Sequence, residues 1–359
     1  MEKLKLNFDW KNLRRSLSAV DLGVDLGTSN VIIYAENKGI VLRAPSVVAL
    51  DKNTERIIQT GAGARNMLGR TPGNVVAMQP LKDGVISDLE MTVKMLQTLY
   101  RSASKKSIFT PKPRVVICVP SGVTEVEERT VINAALEAGA RRVYLIEEPL
   151  AAAMGAGLDI SGPSGHMVVD IGGGTTDIAV LSMNGVAASS SMAIAGIAFD
   201  EAIARYVRRK YGIVIGMATA EDVKIQIGSV YPRNEELTMR VKGRDAKGGM
   251  PREVELVSSE LLEPLMRMAR MITDEVLSVL EDSSPELVGD IAQNGITLTG
   301  GGCQIWGMDR LVSERTGIPC SIADDPESCV ALGCGKSLSW INHMQEGPIN
   351  IARKRLMRG

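Results

Sequence analysis

A strand, a glycine-bearing turn and a return strand occur twice in this chain, with an aspartate at the same place in each copy. In the second half, Met167 to Ile171 is an apolar, β-rich run, Gly172-Gly173-Gly174-Thr175-Thr176 is turn chemistry, and Asp177 to Leu181 returns. In the first half, the largely apolar Val20 to Leu26 leads into Gly27-Thr28-Ser29-Asn30, and Val31-Ile32-Ile33-Tyr34 returns. Asp25 and Asp170 each stand two residues before the first glycine of their turn, 145 positions apart. A chain that restarts its own pattern in this way is built from two related halves.

Helices and further strands surround each copy. Residues 114–119 make a buried-type strand ended by Pro120-Ser121-Gly122. Thr124 then opens a helix, with Glu127 completing a capping box and Gly139 as the stop, and Val143 to Ile146 is another strand. Leu261, Leu265, Met268, Ile272, Val276 and Leu280 recur at helical spacing over 258–282. Pro264 suits only a first turn, so this helix is expected to begin near Glu263. A third strand and turn follows, Ile296-Thr297-Leu298-Thr299-Gly300-Gly301-Gly302. The alternation predicts an α/β fold, and 359 residues correspond to two or three domains at roughly 100–200 residues each.

Glycines at a hairpin tip let backbone N–H groups approach an anion, because no Cβ intervenes. The hydroxyls of Thr28, Ser29, Thr175 and Thr176 add donors. Asp25 and Asp170 would repel a polyphosphate unless a divalent cation lay between them, an arrangement suited to Mg²⁺ and its retained waters. The pattern therefore points to a nucleotide–Mg²⁺ clamp. Gly333-Cys334-Gly335-Lys336-Ser337 imitates the end of a P-loop, but the earlier glycine this motif needs is Val330. No GxGxxG is present either, so neither a Walker-type NTPase nor a Rossmann dehydrogenase is supported.

Composition narrows the chemistry further. With 41 Lys+Arg against 42 Asp+Glu there is no global field to attract nucleic acid. Only His166 and His343 are present, which disfavours His-rich metal sites and His-activated nucleophiles. Five cysteines without a CxxC pair read as buried apolar groups in a reducing compartment, so a cytoplasmic location is expected. No apolar run reaches the roughly 18–20 residues that span a bilayer, and the start lacks a signal-peptide apolar block.

The paired hairpins, the segment Glu147-Glu148-Pro149-Leu150-Ala151-Ala152-Ala153-Met154-Gly155 between them and the Leu298-to-Gly302 turn resemble the actin, heat-shock chaperone and sugar-kinase superfamily. Within it, residues 145–157, 166–181, 219–228 and 325–333 resemble the bacterial actins of the MreB/Mbl family, over nearly the whole chain from Gly23 to about Ser339. The resemblance implies an actin-like ATPase fold: two duplicated domains flanking a nucleotide cleft, each with a smaller subdomain. Its implied boundaries are 21–160 with an insert at about 50–82, 161–331 with an insert at about 199–262, and 332–359 returning to the first domain.

The same resemblance implies ATP (or GTP) and Mg²⁺ as ligands. Gly27, Thr28, Ser29 and Asn30 would hold phosphates from one side and Gly172, Gly173, Gly174 and Thr175 from the other, with Asp25 and Asp170 at the metal through water. Glu148 matches the glutamate that polarises the attacking water, and Thr175 helps to place that water. Glu221, Lys224, Gly300, Gly301 and Gly302 match positions around the nucleoside. Ile197 stands where the family carries an acidic residue, which would alter nucleotide handling. The implied function is slow ATP hydrolysis inside self-assembled polar protofilaments, paired antiparallel on the membrane and guiding cell-wall elongation proteins. A chaperone ATPase or a small-molecule kinase is the competing reading, disfavoured by the lack of a substrate-binding domain and of a recognisable acceptor pocket.

Residues 1–20 stand apart. Trp10, Leu13, Leu17 and Val20 share one helical stripe, with Lys11, Arg14 and Arg15 off it, and five basic against two acidic residues give a local charge of +3. From the residues alone the segment is either an interfacial amphipathic helix on an anionic membrane or a helix docked on its own domain. Ile108 and Phe109, in a Lys/Ser/Pro loop, lie near where the family carries a second apolar membrane contact, the alternative being a staple buried under that loop. The basic tail Arg353 to Arg358 reads as a solvated end.

Overall fold

The structure, a computed structural model, describes residues 20–103, 112–341 and the strand Ile349–Asn350. Trp10, Leu13, Leu17, Ile108, Phe109, His343 and the basic tail lie outside the described residues.

Both predicted hairpins form, and each is the centre of a sheet. Leu22–Leu26 pairs antiparallel with Asn30–Ala35, which pairs with Gly39–Pro45; on its other side Leu22–Leu26 pairs parallel with Arg114–Val119, and that strand with Arg142–Glu147. His166–Ile171 likewise pairs antiparallel with Thr176–Ser182 and so to Gly185–Met192, and parallel with Ile296–Thr299 and so to Cys320–Ile322. The two sheets thus share one five-strand order, two antiparallel partners on one flank and two parallel partners on the other, and in the first sheet Ile349–Asn350 adds a sixth strand, parallel to Arg142–Glu147. The duplication seen in the residues is a duplication of topology.

Each half carries an insert built on a small antiparallel sheet. In the first, Val48–Asp51 lies between Ile57–Thr60 and Val75–Met78; in the second, Thr238–Asp245 lies between Ile213–Val214 and Pro251–Val257, with the helix Met217–Ile227 beside it. Separate apolar cores fill the halves, one around Val24, Leu96 and Ile117 and one around Val169, Phe199 and Ile272.

A third core holds the halves together. The helices Glu148–Ala156 and Cys329–Ser337 lie between the two sheets, and Leu150, Ala151, Val330 and Cys334 pack with Val116 and Ile146 of one sheet and Val168 and Leu181 of the other. Small residues allow this. A Cβ on Gly155 would overlap the Cys329 carbonyl, and one on Gly333 would overlap the Ala151 carbonyl. Gly333, whose surroundings imitate a P-loop, is therefore a helix-crossing residue.

Two expectations need correction. The long helix spans Ser258–Glu281 with Pro264 inside it, not a start near Glu263. Its first turn is anchored from outside: Glu260 accepts from the Val257 N–H at 3.0 Å, Tyr211 O–H at 2.7 Å, Tyr206 O–H at 3.1 Å and the Lys210 ammonium. These bonds offset the backbone bond that Pro264 cannot make. Second, Cys320 is only half-buried, whereas Cys118, Cys303, Cys329 and Cys334 are buried; all five are free thiols.

Candidate nucleotide cleft

The two glycine turns meet. A Cβ on Gly173 would overlap Ser29 Oγ, and one on Gly174 would overlap the Thr28 hydroxyl, so the tips of the duplicated hairpins are in direct contact between the halves. Each turn is also tied to its own half. Ser46 donates from Oγ to the Gly27 carbonyl at 2.6 Å and from its N–H to the Ser29 carbonyl at 2.9 Å. Thr28, buried, accepts the Gly84 N–H at 3.0 Å, while Asn30 is exposed. Opposite, Gly172 and Gly173 accept the N–H groups of Gly196 and Ile197 at 3.0 and 2.9 Å. Ile197 thus keeps a backbone role in the second turn whatever its side chain contributes.

Behind the turns four carboxyls share one space. Asp170 faces Asp177 directly across the second hairpin, and Cys118 Sγ lies 3.6 Å from Asp25 and 3.8 Å from Glu148. Burial, with the Asp170 charge beside it, pushes the Asp25 carboxyl up to about 7. Burial also pushes Asp170 up to about 7 although Thr299 Oγ1 donates to it at 2.6 Å. Glu148 is raised well above the usual carboxylate range by burial and then by Asp177, Asp170 and Asp25, and it shares a hydrogen bond with Asp177. That bond raises Glu148 further and works against the burial that raises Asp177. Asp177 also accepts the Ser121 N–H at 2.9 Å.

Such a cluster has the chemistry of a cation site. Like charges buried this close favour whatever neutralises them, a proton or a metal ion. Among the described residues, however, no group of three or more His, Cys, Asp or Glu side chains is arranged to hold a metal directly. Carboxylate oxygens are hard donors of the kind that hold an ion through its waters, as Mg²⁺ is held.

The remaining predicted residues line the same region. Gly300, at φ 78°, sits against the Ile171 carbonyl, where any Cβ would overlap it, and Gly302 packs on the Ile171 side chain; Gly301 lies beside Glu327. Lys224 pairs with Asp200 at 2.8 Å and donates to the Gly196 carbonyl at 2.9 Å. Glu221 is ion-paired with Arg65 of the first-half insert.

Comparison with known proteins decides the family. The family model for MreB/Mbl protein matches residues 19–346. The chain belongs to the MreB/Mbl family. It is 50% identical over 332 residues to the cell shape-determining protein MreB of Escherichia coli (strain K12), covering 91% of this chain and 96% of that protein. To the cell shape-determining protein Mbl of Bacillus subtilis (strain 168) it is 48% identical over 322 residues, covering 89% and 96%. Among solved structures, MreB 5 of Spiroplasma citri bound to AMPPNP superposes with a TM-score of 0.85 at 39% identity, covering 90% of this chain and 97% of that one. The MamK double helical filament shares the fold, with a TM-score of 0.75 at 23% identity over 91% of this chain and 100% of that one. The fold is thus that of the actin-like proteins.

Within this MreB/Mbl fold the structure adds residues that the motifs did not single out: Asp177, Cys118, Thr299 and Arg65. Asp177 carried a signal, since a return-strand residue opposite Asp170 points to the same side of the sheet. Thr299 was visible only as part of the third glycine turn, and Cys118 and Arg65 carried no signal of a place in the site, because those places depend on parallel pairing and on packing between halves.

Proposed function

We propose that this chain is a filament-forming bacterial actin that binds ATP, or GTP, with Mg²⁺ between its two halves and hydrolyses it slowly. The observation that carries this reading is the contact between two aspartate-bearing glycine turns above a buried carboxyl cluster. Gly27 to Asn30 and Gly172 to Thr175 offer phosphate donors from the two sides, and Glu221, Lys224 and Gly300 to Gly302 flank the nucleoside. The halves are 21–160 and 161–331, with inserts at about 50–82 and 199–262, and 332–359 returns to the first. Mg²⁺, held through water by Asp25 and Asp170, would neutralise phosphate charge when bound. Glu148 orients and polarises the attacking water, and Thr175 helps to position that water. The AMPPNP and ADP complexes of MreB 5 of Spiroplasma citri support the choice of nucleotide.

Polymer and membrane complete the reading. Head-to-tail stacking is heterologous and does not close, so it makes protofilaments, which pair antiparallel. Residues 1–20, with Ile108 and Phe109, bind the inner face of the cytoplasmic membrane, weakly per subunit and strongly once polymerised. There the filament organises cell-wall elongation proteins and rod shape. Among the described residues no helix is long and apolar enough to cross a membrane. Pelleting with Mg²⁺ and ATP, with and without anionic liposomes, followed by electron microscopy, tests the reading. Filaments that bind liposomes are expected, and a chain lacking residues 1–20 should still polymerise but float poorly with lipid. Monomers under every condition would overturn the filament reading, and undiminished flotation the membrane one.

A further inference from the structure

Arg65 reaches across the mouth of the cleft. It ends the short helix Ala62–Arg65 of the first-half insert, which rests on its own small apolar cluster of Val47, Ala49 and Ala64. Its guanidinium pairs with Glu221 on the helix Met217–Ile227 of the second-half insert. Among the described ion pairs it is the one that joins the two inserts.

The contact continues inward. One helical turn beyond Glu221, Lys224 is committed to Asp200 and to the Gly196 carbonyl, and Gly196 in turn bonds to the Gly172 carbonyl of the phosphate-facing turn. Glu221 therefore has Arg65 as its cation, with Lys224 engaged elsewhere. Asp200, already paired with Lys224, is repelled by Glu221 and attracted by Arg65, so Arg65 offsets the Glu221 charge within the second insert. We propose that Arg65 is a positioning residue that retains bound nucleotide: its pair with Glu221 holds the two inserts over the nucleoside and must break before the nucleotide leaves. This rests on the nucleotide reading above. Both partners are about one-third exposed, at 37% and 29%, so the pair is screened by salt and its effect is a modest rate factor.

Release of a fluorescent ATP analogue from the full-length Mg²⁺-loaded protein, chased with excess ATP in a stopped-flow instrument, tests this. Arg65→Glu is expected to speed release about fivefold, Arg65→Lys to stay near the wild-type rate, and wild-type release to accelerate with added salt. The decisive measurement is coupling: Arg65→Glu combined with Glu221→Arg should release more slowly than the product of the single effects requires. Purely multiplicative rates, or an Arg65→Glu rate equal to wild type, would overturn the proposal. A wild-type protein that is folded by circular dichroism yet binds no analogue would instead overturn the nucleotide reading, and this proposal with it.

Discussion

Glu148 owes its chemistry to its neighbours. It is 8% exposed, opens the helix Glu148–Ala156 and lies among Asp25, Asp170 and Asp177. Burial and the neighbouring carboxyls oppose its ionisation, and positive charge entering the site would favour it. Glu148→Gln keeps the shape but cannot carry the negative charge. We expect it to bind nucleotide as wild type does while phosphate release falls about tenfold or more, measured by a coupled phosphate assay. Unchanged release would remove Glu148 from the reaction. Asp25 and Asp170 were legible because each adjoins a recognisable turn, whereas Glu148 was legible through the family resemblance. Thr299 was visible only as part of a glycine-turn motif, since its bond to Asp170 arises from parallel pairing of strands far apart in the chain.

The elements were legible almost to their ends. The helix Glu125–Glu137 begins at the Thr124 cap with both capping-box bonds made, and the strands Arg114–Val119 and Ile296–Thr299 fall where β-rich runs placed them. Local bonds and side-chain periodicity decide such segments. Pro264 escaped the same reasoning because the turn before it is held by Lys210, Tyr206 and Tyr211 from another helix. The crossing of Glu148–Ala156 with Cys329–Ser337 was likewise hidden, since a glycine in a helix normally reads as a weakness. Here Gly333 admits the Ala151 carbonyl. Gly333→Ala forces backbone apart between the two sheets and is expected to lower the thermal midpoint by about 3 °C or more. Gly289→Ala, in a helix where a Cβ meets nothing within 4 Å, should leave the midpoint unchanged or raise it slightly. Differential scanning fluorimetry of the two variants checks both.

At the level of the molecule, the carboxyl cluster makes stability depend on pH. Asp25 and Asp170 bind protons up to about 7 in the folded chain but only to about 3.8 when unfolded. The folded state therefore holds more protons through this window, and these two groups favour folding below pH 4 and lose that contribution as pH rises through 7. We expect the nucleotide-free protein in EDTA to gain less stability, or lose more, between pH 5 and pH 8 than Asp170→Asn does. Thermal melts across that range should show a flatter slope for the variant. Identical slopes would mean that the carboxyls do not share a buried space.

The residues alone determined that the chain has two related halves, where the three glycine turns and the strands beside them lie, where two of the helices run, and which acidic residues stand beside the turns. Turn chemistry, capping and apolar periodicity act over a few residues and are written along the chain. Only the tertiary structure decided that the two turns touch, that Asp177 and Glu148 join Asp25 and Asp170, and that Arg65 meets Glu221. Those contacts arise when two sheets close on one pair of small-residue helices. The contacts between the turns, between Asp25 and Asp170, and between Arg65 and Glu221 bring together side chains more than a hundred positions apart, and no local pattern encodes that distance.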